Sequence, residues 1–161
     1  MKKIILSFIF LIVGGYGQKY FQQDVSYNID VKLNDSLHTL SGYEKITYKN
    51  NSNETLDYLW FHIWPNAYKS DSSALAKQFI RLGNTKFKYT KEKNRGFIDS
   101  LDFSIDGIKA EWEYHSQWND VIKINLPEPL KPKEKILIET PFFVKLPKIR
   151  SRLGHNGQHY E

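Results

Sequence analysis

Five histidines and a scatter of carboxylates are the residues with the means to do chemistry. His38 falls in a turn, His62 on an aromatic strand, His115 in a loop, and His155 and His159 near the end. A catalytic zinc ion needs three protein ligands converging on one point. His155 and His159 have the i, i+4 spacing of a helical ligand pair, with Glu161 nearby, but Gly154 and Gly157 oppose a helix there. No glutamate follows His155, so the H-E-x-x-H pattern is absent. We therefore assign no metal ligand to His155, His159 or Glu161.

Other constellations fare no better. The chain has no G-x-S-x-G elbow, no phosphate-cradling glycine loop and no S-x-x-K. Asp99, Asp102 and Asp106 lie in a strand and its turn, where a solvent face and a turn residue are the expected roles, although carboxylate pairs formed across strands are invisible in sequence. The absence of cysteine excludes disulfides, thiolate metal sites, a cysteine nucleophile and lipid attachment through Cys. No catalytic, cofactor-binding or metal residue is assigned. The loudest signal is aromatic: Trp60, Trp64, Trp112 and Trp118 with ten Tyr and ten Phe. Core packing is the first reading of these rings, and a carbohydrate-stacking surface is the second.

The elements that must position these groups come next. The 161 residues suit one domain, and the 40% hydrophobic content is too high for a disordered chain. Lys2 and Lys3, the apolar run Ile4–Val13 and small residues at Gly15 and Gly17 make the three-part pattern of a secretory leader over residues 1–17. Export to the periplasm or the outside is the expectation, with residues 18–161 as the working domain. Removing the leader takes two of the 23 basic residues. What remains is no basic patch for nucleic acid, and no run is long enough to span a membrane.

The dominant period is two, the signature of strands. Tyr27, Ile29, Val31 and Leu33 share one face of a half-buried strand. A second strand runs Leu40 to Lys49, with Ile46 and Tyr48 inward. Leu56 to Trp64 is apolar on both faces, which predicts a central strand covered on both sides. Leu75, Phe79 and Leu82 recur at helical spacing, predicting one short helix capped by Ser72 or Ser73 and closed by Gly83-Asn84. Thr85 to Gly96, with lysines at 86, 88, 91 and 93, reads as a solvated loop. Phe97 to Ile105 is a strand, Asp106-Gly107 a hairpin turn, and Ile108, Ala110, Trp112 and Tyr114 the returning strand. Val121 to Leu126 follows, then a rigid connector Pro127–Pro132, then Lys135 to Thr140 continuing through Phe142 to Leu146. The fold class is mainly β: an antiparallel sandwich or saddle of about seven strands with one helix. The stretch Arg150–Glu161 reads like an internal segment.

Tyr58-Leu-Trp-Phe-His-Ile-Trp-Pro-Asn-Ala-Tyr68 carries a resemblance. It is supported by Gln22-Gln-Asp-Val-Ser-Tyr27, by Leu40-Ser-Gly-Tyr-Glu-Lys-Ile-Thr-Tyr-Lys-Asn-Asn-Ser52, by Leu126-Pro-Glu-Pro-Leu-Lys-Pro132 and by Ser151-Arg-Leu-Gly-His155. From about Gln22 to Glu161 the chain resembles the amino-terminal β domain of the aminopeptidase N family of zinc metallopeptidases (gluzincins), particularly the exported bacterial branch. The resemblance implies a β saddle that packs on a thermolysin-like catalytic zinc domain of the same parent chain, with peptide as substrate. In that family the zinc motif, the general-base glutamate, the transition-state tyrosine and the G-x-M-E-N loop come later in the chain, and none has a counterpart here. The T-Q segment that binds the substrate's α-amine would begin beyond Glu161. Zinc is thus implied for the full-length enzyme and not for these residues. The alternative is a stand-alone secreted β-sandwich binding module for glycan or peptide. The first reading predicts an exposed apolar patch larger than monomers usually carry.

Overall fold

A computed structural model describes residues 20–148 and 152–161. The leader expected over residues 1–17 lies outside them. Strand β1 (Asp24–Asn34) folds back on β2 (Thr39–Lys49) in register from Asp24↔Lys49 to Asn34↔Thr39. The turn is set locally: the Asn34 side-chain carbonyl accepts from the amides of Ser36 and Leu37, and His38 takes a positive φ of 54°. Next come β3 (Leu56–His62), a 3-10 turn over Trp64–Tyr68 and the helix α1 (Ala74–Arg81). Short strands β4 (Phe97–Asp99), β5 (Ser104–Ile105), β6 (Ile108–Lys109) and β7 (Trp112–Tyr114) follow. The long strands β8 (Val121–Leu130) and β9 (Lys135–Lys145) and the hairpin β10 (His155–Asn156) with β11 (His159–Tyr160) complete the order.

These elements make an antiparallel sandwich. One sheet runs β1-β2-β9-β5-β6, with β4 also on β9, and the other runs β3-β8-β7. Between them sit Ile46, Ile105 and Ile138 from the first sheet against Leu59, Ile122 and Ile124 from the second, with Phe103 and Ala110 filling the gap. On the far side of the larger sheet Lys45 pairs with Glu139 at 2.9 Å, directly across β2 and β9. The mainly β class is therefore as the alternation predicts.

The helix forms where its spacing puts it. Ser73 is the N-cap: its hydroxyl accepts from the Ala76 amide and donates to the Ala67 carbonyl, tying α1 to the 3-10 turn. Ala67, Tyr68, Ala76 and Phe87 form a second, smaller core there, so the lysine-bearing loop is anchored by one buried ring. The hairpin Asp106-Gly107 also forms, with positive φ at both residues, the geometry of a type I′ turn.

Four local expectations are corrected. The segment Phe97–Ile105 is not one strand, because Ser100 turns to φ 62° and splits it into β4 and β5. The returning segment splits too: β6 stays on β5, while β7 crosses to the other sheet. Pro127 and Pro129 do not end a strand, since β8 runs on to Leu130. They fall at an irregularity opposite Leu56 and Tyr58, where a missing amide hydrogen costs no ladder bond. The fourth correction concerns β3. It is an edge strand of its sheet, not a central one, and only its Leu59 face is buried. Apolar residues on both faces suggested two covering layers; the structure supplies one.

Loops are pinned by a buried amide. Asn50 is fully buried, and its Nδ2 donates to the carbonyls of Glu54 and Leu130 at 2.7 and 3.0 Å. Its Oδ1 accepts from the Ser52 amide and hydroxyl, and its main chain bonds Glu134 and Lys133. One side chain thus fastens the β2–β3 turn to the end of β8.

Candidate functional site

On the outer face of the three-stranded sheet, β3 presents Tyr58, Trp60 and His62, the alternate residues to its buried ones. Across the register stand Asn125, Lys123 and Val121 of β8, and Glu113 of β7 lies beyond Lys123. Trp60 is 51% exposed and Trp118, from the loop after β7, is 48% exposed. Their rings are ordered by contact. Tyr58 meets Trp60 edge-on at 5.9 Å, Trp60 meets His115 at 5.1 Å, and His115 stacks on Trp118 at 4.2 Å. Lys123 is held at 3.6 Å by Glu113 and lies 4.7 Å over the Tyr58 ring. The His115 Nδ1 accepts from the Gln117 amide at 3.1 Å, which places the proton of the neutral ring on Nε2. Trp64, just past β3, extends the face beside His62 at 6.2 Å between rings. Of the four tryptophans only Trp112 turns inward, edge-on to Phe103. Core packing, the first reading of these rings, thus describes Trp112, while Trp60, Trp64 and Trp118 are exposed.

The exposed apolar surface does not stop there. Tyr27, Ile29, Val31 and Leu33 of β1, expected to be half-buried, are exposed along the inner face of the larger sheet. A groove of about 700 Å³ runs between that face and the free edge of β3, lined by Val25, Tyr27, Glu44, Tyr48 and the residues from Glu54 to His62. Glu44 is half-buried on its floor, and burial pushes its carboxyl above the ordinary value. Burial pushes the Tyr48 phenol up in the same groove. Sequence reasoning passed over Glu44. Its signal was its register: in the inward series Leu40, Gly42, Glu44, Ile46 and Tyr48 it is the one charged residue. Gly42 leaves room for the Phe142 ring, which any Cβ there would strike.

The donor set at the chain's end does not fit zinc. In the β10–β11 hairpin His155 pairs with Tyr160, and Asn156 with His159, so the two histidines point to opposite faces. Instead His155 stacks on His38 at 3.6 Å, and the His38 Nδ1 is 3.0 Å from the Tyr160 hydroxyl. Among the described residues no three His, Cys, Asp or Glu groups are placed to hold a metal ion. The three aspartates have separate structural tasks. Asp99 accepts from the Ser100 amide, Asp102 pairs with Lys109 at 3.0 Å, and Asp106 accepts from the Leu137 amide. Lysines 86, 88, 91 and 93 are exposed on their loop. Among the described residues no helix is long and apolar enough to cross a membrane. Chemically, the arrangement offers flat apolar faces with polar rims: a surface for docking or stacking.

No family model and no curated protein sequence matches the chain. Solved structures do. A two-domain M1 zinc metallopeptidase variant bound to L-arginine is 14% identical, with a TM-score of 0.50 over 84% of this chain and 25% of that one. An M1 zinc metallopeptidase from Deinococcus radiodurans is 15% identical, with a TM-score of 0.47 over 77% of this chain and 20% of that one. The chain thus spans a quarter or less of the peptidases it resembles. At this identity the likeness is one of fold: the β sandwich here has the architecture of part of an M1 zinc metallopeptidase.

Proposed function

We propose that this chain is the non-catalytic β domain of an exported zinc aminopeptidase-like protein, and that it scaffolds a separate catalytic domain that removes amino-terminal residues from peptides. The observation that carries this reading is the open aromatic face of β3. The segment with the closest family resemblance, Tyr58 to Tyr68, divides in the structure into exposed rings (Tyr58, Trp60, Trp64) and a buried anchor (Asn66, Ala67, Tyr68). A buried anchor with rings turned outward is what a surface meant for another domain requires. The resemblance and the fold likeness support the same assignment. In this reading residues 1–17 direct export, zinc is held by the partner domain, and it activates the attacking water there.

The test is direct. The purified chain is expected to bind no stoichiometric zinc and to release no amino acid from aminoacyl p-nitroanilides. Robust hydrolysis that a chelator abolishes would overturn the assignment. The reading frame downstream of the Glu161 codon is expected to encode T-Q and later H-E-x-x-H.

A second reading is favoured by one specific observation, the exposure of both Trp60 and Trp118 with His115 packed between them. Such rings suit the apolar face of a sugar or an apolar peptide side chain, as in a stand-alone binding module. It requires that tryptophan emission shift when a glycan or peptide is added. A silent response across both panels removes it.

A further inference from the structure

We propose that the groove between the free edge of β3 and the inner face of β1 and β2 receives an extended polypeptide segment as an added strand, with a lysine or arginine side chain seated on Glu44. This groove shares Tyr58, Trp60 and His62 of β3 with the outer aromatic face, but its floor belongs to β1 and β2, and no step of the inference uses a catalytic domain.

Three observations converge. The first is the edge itself. Among the described residues strand β3 pairs only with β8, and no described strand pairs with the other side of its backbone. Exposed edges are normally guarded by lysine, proline or very short length. The sequence Leu56-Asp-Tyr-Leu-Trp-Phe-His62 has neither lysine nor proline and is seven residues long. The second is the floor. A strand laid beside β3 would turn alternate side chains down onto Tyr27 and Ile29, which are exposed, and onto Glu44, which pairs with Ile29 in the register.

The third observation is charge. Glu44, Glu54 and Asp57 line the groove, and among the described residues no lysine or arginine does, on a chain whose net charge is +5. Among the described residues no cation pairs with Glu44. A half-buried carboxylate without a counter-charge is costly, and an incoming ammonium or guanidinium relieves that cost. Strand addition supplies affinity through the main chain, and a pocket for one alternate side chain supplies specificity. A second copy of this chain is a poor occupant, because pairing edge to edge would bring a second set of the same carboxylates into the groove.

The probe is the peptide Ac-Thr-Val-Thr-Lys-Thr-Val-Thr-NH2, titrated into the ¹⁵N-labelled chain. Amide shifts are expected in β3 and around Tyr27 and Glu44. Replacing the peptide's lysine with glutamate, or Glu44→Gln in the protein, is expected to weaken binding about tenfold or more. N-methylation of alternate peptide amides is expected to abolish binding in one register and spare it in the other. Changes made in the peptide leave the protein untouched, so they report even if Glu44→Gln does not fold. The proposal is overturned by the absence of shifts at about 1 mM peptide, by binding indifferent to the lysine, or by binding indifferent to N-methylation. Shifts that instead follow dimerisation through β3 would also overturn it, by giving the groove to a second copy.

Discussion

The inner face of the larger sheet has two halves built by the same alternation and treated in opposite ways. Ile46 and Ile138 lie under the second sheet at 1% and 0% exposure, whereas Ile29 and Val31, on the same face of the neighbouring strand, are 50% and 56% exposed. Alternation therefore reports which residues share a face; it does not report whether another layer covers it. The covered half carries the stability and the uncovered half is free to carry recognition. The sharpest way to break this contrast is by truncation on each side. Ile138→Ala is expected to cost about 2–5 kcal/mol, from lost burial and the cavity it leaves. Val31→Ala is expected to change stability by about 0.5 kcal/mol or less. Urea unfolding of both variants measures the difference, and equal losses would mean that β1 is covered in solution.

Two smaller effects sharpen the picture within the covered part. Asn50→Ala takes the side-chain donor from the buried Leu130 carbonyl and the acceptor from the buried Ser52 amide, while the Ser52 hydroxyl keeps its bond to the Glu54 carbonyl. Its expected cost is about 2–3 kcal/mol, since a buried group left unpaired loses its full desolvation penalty. Thermal unfolding would detect it. Ser73→Ala removes the cap of α1 and its tie to the 3-10 turn, for about 1 kcal/mol. Its mark should be faster amide exchange at Ala76 and Lys77, with the sandwich unaffected. A variant that instead loosens the β8 amides would show that the helix and the sandwich unfold as one.

How far the sequence reaches is clear from particular residues. Local chemistry was readable: Ser72 or Ser73 as a cap, Asp106-Gly107 as a hairpin turn, Tyr27 to Leu33 as one face. Each depends on neighbours within a few positions. The errors lay where distant pieces decide. Residues Leu56 to Trp64 are apolar on both faces, yet only the partner sheet makes one face buried, and nothing nearby in sequence says that the other stays open. The pairing of β3 with β8 spans more than fifty positions. The site followed the same rule. Trp60 and Trp118 could be suspected as surface rings, but the His115 stack that joins them arises from a loop meeting an edge strand. Glu44 was detectable in principle, as a charge in an inward register, and was masked by the polar residues around it.

The smallest expected effect tests a third kind of contact, the terminal hairpin resting on the β1–β2 turn. There His155 stacks on His38, its main-chain amide bonds the Pro147 carbonyl, and Tyr160 reaches His38 and the Asp35 carbonyl. Burial first, then the neighbouring His38, lowers the pKa of His155 below its ordinary 6.5, with Lys148 adding to the effect and a Gly157 hydrogen bond opposing it. The sign follows. Above pH 6.5 the ring is neutral whether or not the hairpin is docked, and the contact is at full strength. As pH falls below 6.5 the released ring takes up a proton that the docked ring resists, so docking weakens until the docked value is passed. Exchange of the Gly154 and Glu161 amides, which bond each other's carbonyls at 3.0 Å, is the readout. Their protection relative to β8 should drop on acidification. His155→Phe keeps the stacked ring and removes the proton site, so its protection should be flatter with pH. If wild type and His155→Phe lose protection in parallel, the hairpin is held by its main-chain bonds and the paired rings are only packing.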